Sequence, residues 1–307
     1  MAIYEHLSDF AGLPVEDFSA DAPPTGDPGA TAWRIRTEYD GRPFEEIFRD
    51  FLDAVDTTRV SHLVIGFEGG FDDFGERTVD IPLLLAEHAD RLPALRHLFV
   101  GDVVYEESEI SWIEREDITP LVESFPRLET LEVRSGTLRM RPFASTALRR
   151  LRLESGGLPS EVVRAVGACD LPDLEHLDLW LGVEIYGGDT TVADLAPILS
   201  GERFPSLRHL GLEDAEIADE IAAAVAGAPI VARLESLSLA LGALTDEGAE
   251  ALLSGQPLTH LRRLDLHHHF LSDAMMQRVR QALPGVEVDL DEQMERRGDW
   301  IYVAVSE

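Results

Sequence analysis

Any chemistry in this chain has to come from a few histidines set among carboxylates. His176, Asp178 and Trp180 alternate along one short stretch, and His209, Gly211 and Glu213 alternate along another. Imidazole nitrogens and carboxylate oxygens hold metal ions and act as acids and bases. A tryptophan among charged groups is also the composition of a binding hot spot. His267, His268 and His269 form the other histidine group. Alternate strand side chains face opposite ways, so those three cannot converge on one ion. No Gly-x-Ser-x-Gly, P-loop or dinucleotide-binding spacing accompanies them. Cys169, the single cysteine, follows a predicted helix over Ser160 to Ala168 and reads as a buried, inert thiol.

The elements that position these residues are set by a recurring phrase. Leu261-x-x-Leu264-x-Leu266 has earlier counterparts beginning at Leu95, Leu128, Leu148, Leu174, Leu207 and Leu234, with a degenerate one at Val60. The steps run from 20 to 33 residues, a period that marks stacked repeats with leucine-rich repeats at its short end. The end of each phrase alternates as a strand does, leucines inward. Helix-like stretches follow at Thr119–Phe125, Val192–Leu199, Ile217–Val225, Leu244–Leu252 and Asp273–Leu283. The expected fold is therefore α/β: a leucine-rich-repeat solenoid with a parallel sheet on its concave side and helices and turns on its convex side.

Three regions are predicted. Residues 1–66 form an N-terminal cap with the degenerate repeat, including a strand from Trp33 and a helix opened by Pro43. Residues 67–283 carry the repeats, and residues 284–307 supply capping strands, with Trp300–Val305 covering a sheet edge. Acidic residues between Gly66 and Arg77 match no EF-hand spacing and read as a solvated loop. Two long intervals, 101–125 and 180–191, hold Trp112 and Tyr186 and are expected to form loops on a binding face. The short step from Leu128 to Leu148 predicts a turn or 3₁₀ segment. The ninth repeat positions, among them Gly182, Ala215, Gly242 and His269, lack the usual Asn or Cys, so glycine-permitted turns are expected.

Two stretches carry a family resemblance. SEISWIERED with ITPLV, and DLWLG with YGGD and VADLAPIL, resemble an uncharacterised bacterial family of cytoplasmic leucine-rich-repeat proteins. FAGLPV near the start and YVAVSE at the end extend that likeness over nearly the whole chain. LTDEGAEAL resembles the helix entry of ribonuclease-inhibitor-like repeats. The resemblance implies a cytoplasmic repeat protein and no catalytic residues.

Composition limits the partners. The chain has 26 basic residues, all arginine, against 58 acidic ones, a net charge of −32. Such a surface repels nucleic-acid phosphates and anionic membranes. No stretch reaches the roughly 18 apolar residues of a membrane span. These features exclude nucleic acid and membrane and predict a cytoplasmic location.

The resulting expectation is a protein- or peptide-binding scaffold acting through its concave face and inserted loops, not an enzyme, with no cofactor. Its partner-binding residues would be Trp180, Asp178, His176, His209, Glu213, Arg152, Glu132, Trp112 and Tyr186. Strand register would expose all of these but the loop residues Trp112 and Tyr186 in concave rows, and would pair Glu132 with Arg152 and Asp178, and Arg134 with Glu154. Two alternatives stand beside it: a metal-binding accessory protein or metal-dependent enzyme using His176, Asp178, His209 and Glu213, and an acidic inhibitor masking a basic partner.

Overall fold

In a computed structural model of the protein, residues 3–22, 27–39, 41–69, 79–296, 298 and 300–306 are described. The acidic loop expected up to Arg77 falls mostly outside them. The elements in chain order are β1 (Asp9–Phe10), β2 (Leu13–Asp17), β3 (Ala32–Ile35), α1 (Phe44–Ala54), β4 (His62–Ile65), α2 (Ile81–Glu87) and β5 (His97–Val100). β6 (Glu114–Asp117), α3 (Thr119–Ser124), β7 (Thr130–Arg134), β8 (Thr137–Arg139), β9 (Arg150–Glu154), α4 (Ser160–Ala168) and β10 (His176–Gly182) follow. The chain continues through α5 (Val192–Ser200), β11 (His209–Ala215), α6 (Ala218–Val225), β12 (Ser236–Ser238), α7 (Asp246–Ser254), β13 (Arg263–Asp265), α8 (Asp273–Ala282) and β14 (Glu287–Asp289).

Twelve strands form one sheet in the order β1-β2-β3-β4-β5-β7-β9-β10-β11-β12-β13-β14, and β6 pairs with β8 in a separate two-stranded ladder. β1 and β2 are antiparallel, and the other neighbours run parallel. The expected curved leucine-rich-repeat solenoid is corrected: the molecule is a single extensive, open, mostly parallel sheet with interspersed helices. Horseshoe curvature needs a uniformly thick layer behind the strands. Here that layer is uneven. Helices of 6 to 11 residues alternate with 3₁₀ turns, and β8 rather than a helix fills the interval between β7 and β9.

The recurring leucines account for the core. Leu131, Leu151, Leu177, Leu210, Leu237 and Leu264 align rung by rung across adjacent strands. All six are buried in one cluster with helix residues such as Val162, Leu195, Ile221 and Leu252. Truncating one to alanine should cost about 2–5 kcal/mol, because the packed neighbours cannot fully collapse into the gap. Helix entries follow local chemistry. Thr191 and Asp194 form a capping box at α5, and the Thr245 and Ser272 hydroxyls accept from backbone N–H groups at the starts of α7 and α8.

Two turn and edge expectations also change. The left-handed turn residue is glycine at Gly182, but Asp214, Leu241 and His268 adopt it in the later units. Glycine is therefore not the general solution. The segment over Trp300–Val305 forms no strand. Ala304 N–H donates to the Leu241 carbonyl at 2.7 Å, and Val305 N–H donates to Asp214 Oδ1 at 2.9 Å. The chain end thus lies over the turns that follow β11 and β12, and β14 is the last strand of the sheet.

Candidate metal centre

Leucines fill one face of the sheet, so the alternate residues form rows on the other. The first row runs Thr130, Arg150, His176, His209, Ser236, Arg263. The second runs Glu132, Arg152, Asp178, Gly211, Ser238, Asp265. Arg134 pairs with Glu154 in the third, as do Trp180 and Glu213. Parallel pairing without a register shift brings residues far apart in sequence to about 4.8 Å strand spacing.

The His176 and His209 rings stack, their centroids 3.9 Å apart and their planes 10° apart. Asp178 lies across them. Its Oδ2 is 2.5 Å from His176 Nε2 and its Oδ1 is 2.7 Å from His209 Nε2. Gly211 makes this possible, because a Cβ there would overlap Asp178 Oδ1. His209 Nδ1 contacts the Ser236 hydroxyl at 2.6 Å. That partner orients the ring and can accept a hydrogen from Nδ1 when Nε2 is given to a metal. The three donor atoms lie within 4.8 Å of one another.

Charge follows this geometry. Burial raises the Asp178 carboxyl's pKa, but the two imidazole contacts outweigh it and hold the group well below the usual carboxylate range. Burial, opposed by the Asp178 contact, pushes the His176 pKa down. These directions favour an ionised Asp178 and a neutral His176, the forms that ligate a metal. Ligand atoms on a four-coordinate zinc stand about 3.3 Å apart, given bonds of about 2.0 Å. The carboxylate must therefore withdraw from the rings by about 0.6–0.8 Å to admit an ion.

The surroundings hold this centre in place. Trp180 is 5% exposed, packed against Ile110, Ala240, Leu241, Ala304 and Val305. Its Nε1 donates to Glu213 Oε2 at 2.9 Å, and the Ser238 hydroxyl donates to Glu213 Oε1. Burial, followed by the nearby Asp178 charge, raises the Glu213 carboxyl's pKa. Arg134 pairs with Glu154 at 2.6 Å, as register predicts. Glu132 pairs with Arg150 instead of Arg152, because Arg152 turns toward Glu154 at 2.6 Å and lies over the Trp180 ring.

The sequence-selected residues separate into two groups. Trp180, Asp178, His176, His209, Glu213, Arg152 and Glu132 come together on this face. Trp180 is buried there and not a protruding anchor. Trp112 is 65% exposed in the 3₁₀ turn Ile110–Trp112, and Tyr186 closes the 3₁₀ turn Glu184–Tyr186; neither is among the residues holding the histidine pair. Arg150 and Ser236, which the strand rows also expose, stand beside His176 and His209 and join the centre from outside that selection. Cys169 is fully buried, its thiol pKa pushed up to about 11 by burial.

A second cluster joins Asp265, His267 and Asp289. His267 Nδ1 is 2.7 Å from Asp265. Arg263 reaches Asp265 at 2.9 Å and Asp289 at 3.1 Å, so a cation already serves both carboxylates. Its neighbours His268 and His269 are buried apart, against the Gly242 and Leu290 carbonyls. The expectation that the chain is not an enzyme is corrected by two clusters compatible with a metal ion, and with it the reading as a concave-face binding scaffold.

Fold and clusters together define an α/β protein with an open, mostly parallel sheet and histidine–carboxylate groups on the face opposite the leucines. A crystal structure of a Bacteroides fragilis protein, determined by a structural genomics consortium, matches it with a TM-score of 0.79 and 31% identity, over 89% of this chain and 76% of that one. The chain belongs to the family of that protein. The TLR13–ssRNA13 complex matches with a TM-score of 0.38 and 14% identity, over 91% of this chain and 38% of that one, too remote to bear on fold or ligand. No protein-family model and no curated protein matches. The resemblance to a family of leucine-rich-repeat solenoids is thereby corrected, since the open sheet and the matched relative replace it. No helix among the described residues is long and apolar enough to cross a membrane.

Proposed function

We propose that the His176–Asp178–His209 cluster binds one divalent transition-metal ion and forms a metal-dependent active site. The observation that carries this reading is the convergence of two imidazole nitrogens and one carboxylate within 4.8 Å on adjacent strands. Two nitrogens and one oxygen suit zinc, iron(II), cobalt(II) or manganese(II). Three protein ligands leave at least one position for water or substrate, which distinguishes catalytic from structural sites. The side chains of His176 and His209 are 25% and 20% exposed, so the open side faces solvent. Bound metal would supply Lewis acidity and lower the pKa of a coordinated water. His176, Asp178 and His209 hold it, and Ser236 fixes the His209 ring.

The first cluster is favoured over Asp265, His267 and Asp289 because Arg263 bonds both carboxylates of the second at 2.9 and 3.1 Å, whereas Arg150 stands 3.7 Å from Asp178. The net charge of −32 supports a substrate other than nucleic acid, and the lone buried thiol supports a reducing, cytoplasmic setting. The test is elemental analysis of untagged protein, followed by cobalt(II) titration read by visible absorption. One equivalent bound by the native chain, and none by His176→Ala, is expected. Absence of stoichiometric metal after both purification and reconstitution would sink the reading.

A further inference from the structure

Arg152 is the one arginine around the centre whose guanidinium is held but not used. Its Nε lies 2.6 Å from Glu154 and its Cζ is 5.4 Å from the centroid of the Trp180 ring. That ion pair lacks hydrogen-bond alignment at Nε, and the two terminal nitrogens make no hydrogen bond among the described residues. Apart from that Glu154 contact, the neighbouring carboxylates bond to other groups. Glu132 accepts from Arg150, Glu154 from Arg134, Glu213 from Trp180 and Ser238, and Asp178 meets both imidazoles. Arg152 stands directly beside Asp178 in the ladder, one strand spacing of about 4.8 Å away. Its side chain is 26% exposed, so part of it is reachable from solvent.

We infer that the metal centre takes a small carboxylic acid carrying a second oxygen donor, with the oxygen on the metal and the carboxylate on the fork of Arg152. The inference rests on the metal reading above. Guanidinium matches a carboxylate with two parallel N–H···O bonds, a geometry lysine cannot reproduce. Asp178 and Arg152 are register partners on neighbouring strands, so a ligand of a few carbon atoms suits the site. Local charge makes binding metal-dependent. Arg134, Arg150 and Arg152 stand against Glu132, Glu154, Asp178 and Glu213, leaving one negative charge in excess. A divalent ion reverses that sign, so the metal-free site repels an anion and the loaded site attracts one.

The experiment is titration of the cobalt(II)-loaded full chain with glycolate, followed by visible absorption, with ethylene glycol as the uncharged control. Calorimetry on metal-free protein supplies the second arm. A saturable spectral change with glycolate alone is expected, weakened about tenfold or more in Arg152→Gln. Arg152→Lys, which keeps the charge but not the fork, should show a smaller loss. Both variants should still take up one equivalent of cobalt, Arg152→Gln no more weakly than the native chain because it removes a nearby positive charge, and that spectrum also reports that they are folded. Were Arg152→Gln to lose its fold, Arg152→Lys would carry the test. Equal glycolate affinity in native and variant protein, or equal binding without metal, would overturn the inference and leave the metal reading standing. Failure of the native chain to bind cobalt would overturn both.

Discussion

Two pairs of stacked histidines occupy the same rung of this sheet and meet different surroundings. His62 and His97 stack between β4 and β5 with ring centroids 4.2 Å apart, and His176 and His209 stack between β10 and β11 at 3.9 Å. In both pairs the second ring reaches a hydroxyl on the next strand, Thr130 for His97 and Ser236 for His209. The rungs differ one step along the strands. Val64 and Phe99 lie beyond the first pair, packed with Phe10 and Ala32. Asp178 and Gly211 lie beyond the second. Stacking is thus what in-register parallel pairing does with equivalent histidines. A carboxylate, and a neighbour small enough to admit it, turns the stack into a ligand set.

The largest expected effect breaks the comparison at its carboxylate. Asp178→Ala should lower cobalt(II) affinity by at least about a hundredfold, since loss of a ligand exceeds the 10–100-fold cost of losing an outer partner. His62→Gln with His97→Gln should leave metal content unchanged. Both are read by equilibrium dialysis of untagged protein. Metal retained in the first variant and lost in the second would invert the assignment.

The first stack should instead register acid. Burial, reinforced by His97, pushes the His62 pKa down to about 4. In the unfolded chain it titrates near 6.5, so the stability it confers is complete above that pH and disappears as pH falls toward 4. The loss should be on the order of 2 kcal/mol, below the full shift because the ring is only partly enclosed. Urea unfolding at pH 7 and pH 4.5 checks it: His62→Gln should lose less stability than the native chain between the two. Equal losses would show that the apolar rung does not hold a neutral imidazole.

Gly211 separates the space for the carboxylate from the carboxylate itself. Gly211→Ala would push Asp178 off His209, and about tenfold weaker cobalt binding is expected, comparable with losing an outer-shell partner. A cobalt titration decides it, and unchanged affinity would mean that the carboxylate has another seat.

Much of this contrast was legible in sequence because leucine alternation sets which residues share a face. It placed His176, Asp178, His209 and Glu213 on one surface, together with Arg152 and Trp180. Overall shape was not legible, since the phrase reports strand pairing but not the thickness of what lies behind each strand. Burial was not legible either. Trp180 is covered by Ile110, Ala304 and Val305, which come from distant parts of the chain and carry no periodic signal. The convergence of donors depended on Asp178 crossing toward β11, and Gly211 was its only trace in sequence.

Asp214 sharpens the comparison from the other side, because it is a buried carboxyl without imidazoles. Its Oδ1 accepts from Val305 N–H, while its Oδ2 has no hydrogen-bond partner. Burial drives its pKa well above the ordinary value of 3.8, where the equally enclosed Asp178 is driven below. Enclosure alone therefore favours the neutral acid, and the imidazole contacts reverse that preference at Asp178. A raised folded-state pKa stabilises the fold fully below the unfolded value near 3.8, and that contribution is lost as pH rises through the folded value. Asp214→Asn keeps the oxygen that meets Val305, tolerates the left-handed backbone at φ 52°, and cannot ionise. It should raise stability by about 1 kcal/mol at pH 8 and leave it nearly unchanged at pH 3.5, measured by urea unfolding. An equal gain at both pH values would assign the effect to the unpartnered oxygen rather than to its charge, and the contrast with Asp178 would then lose its electrostatic basis.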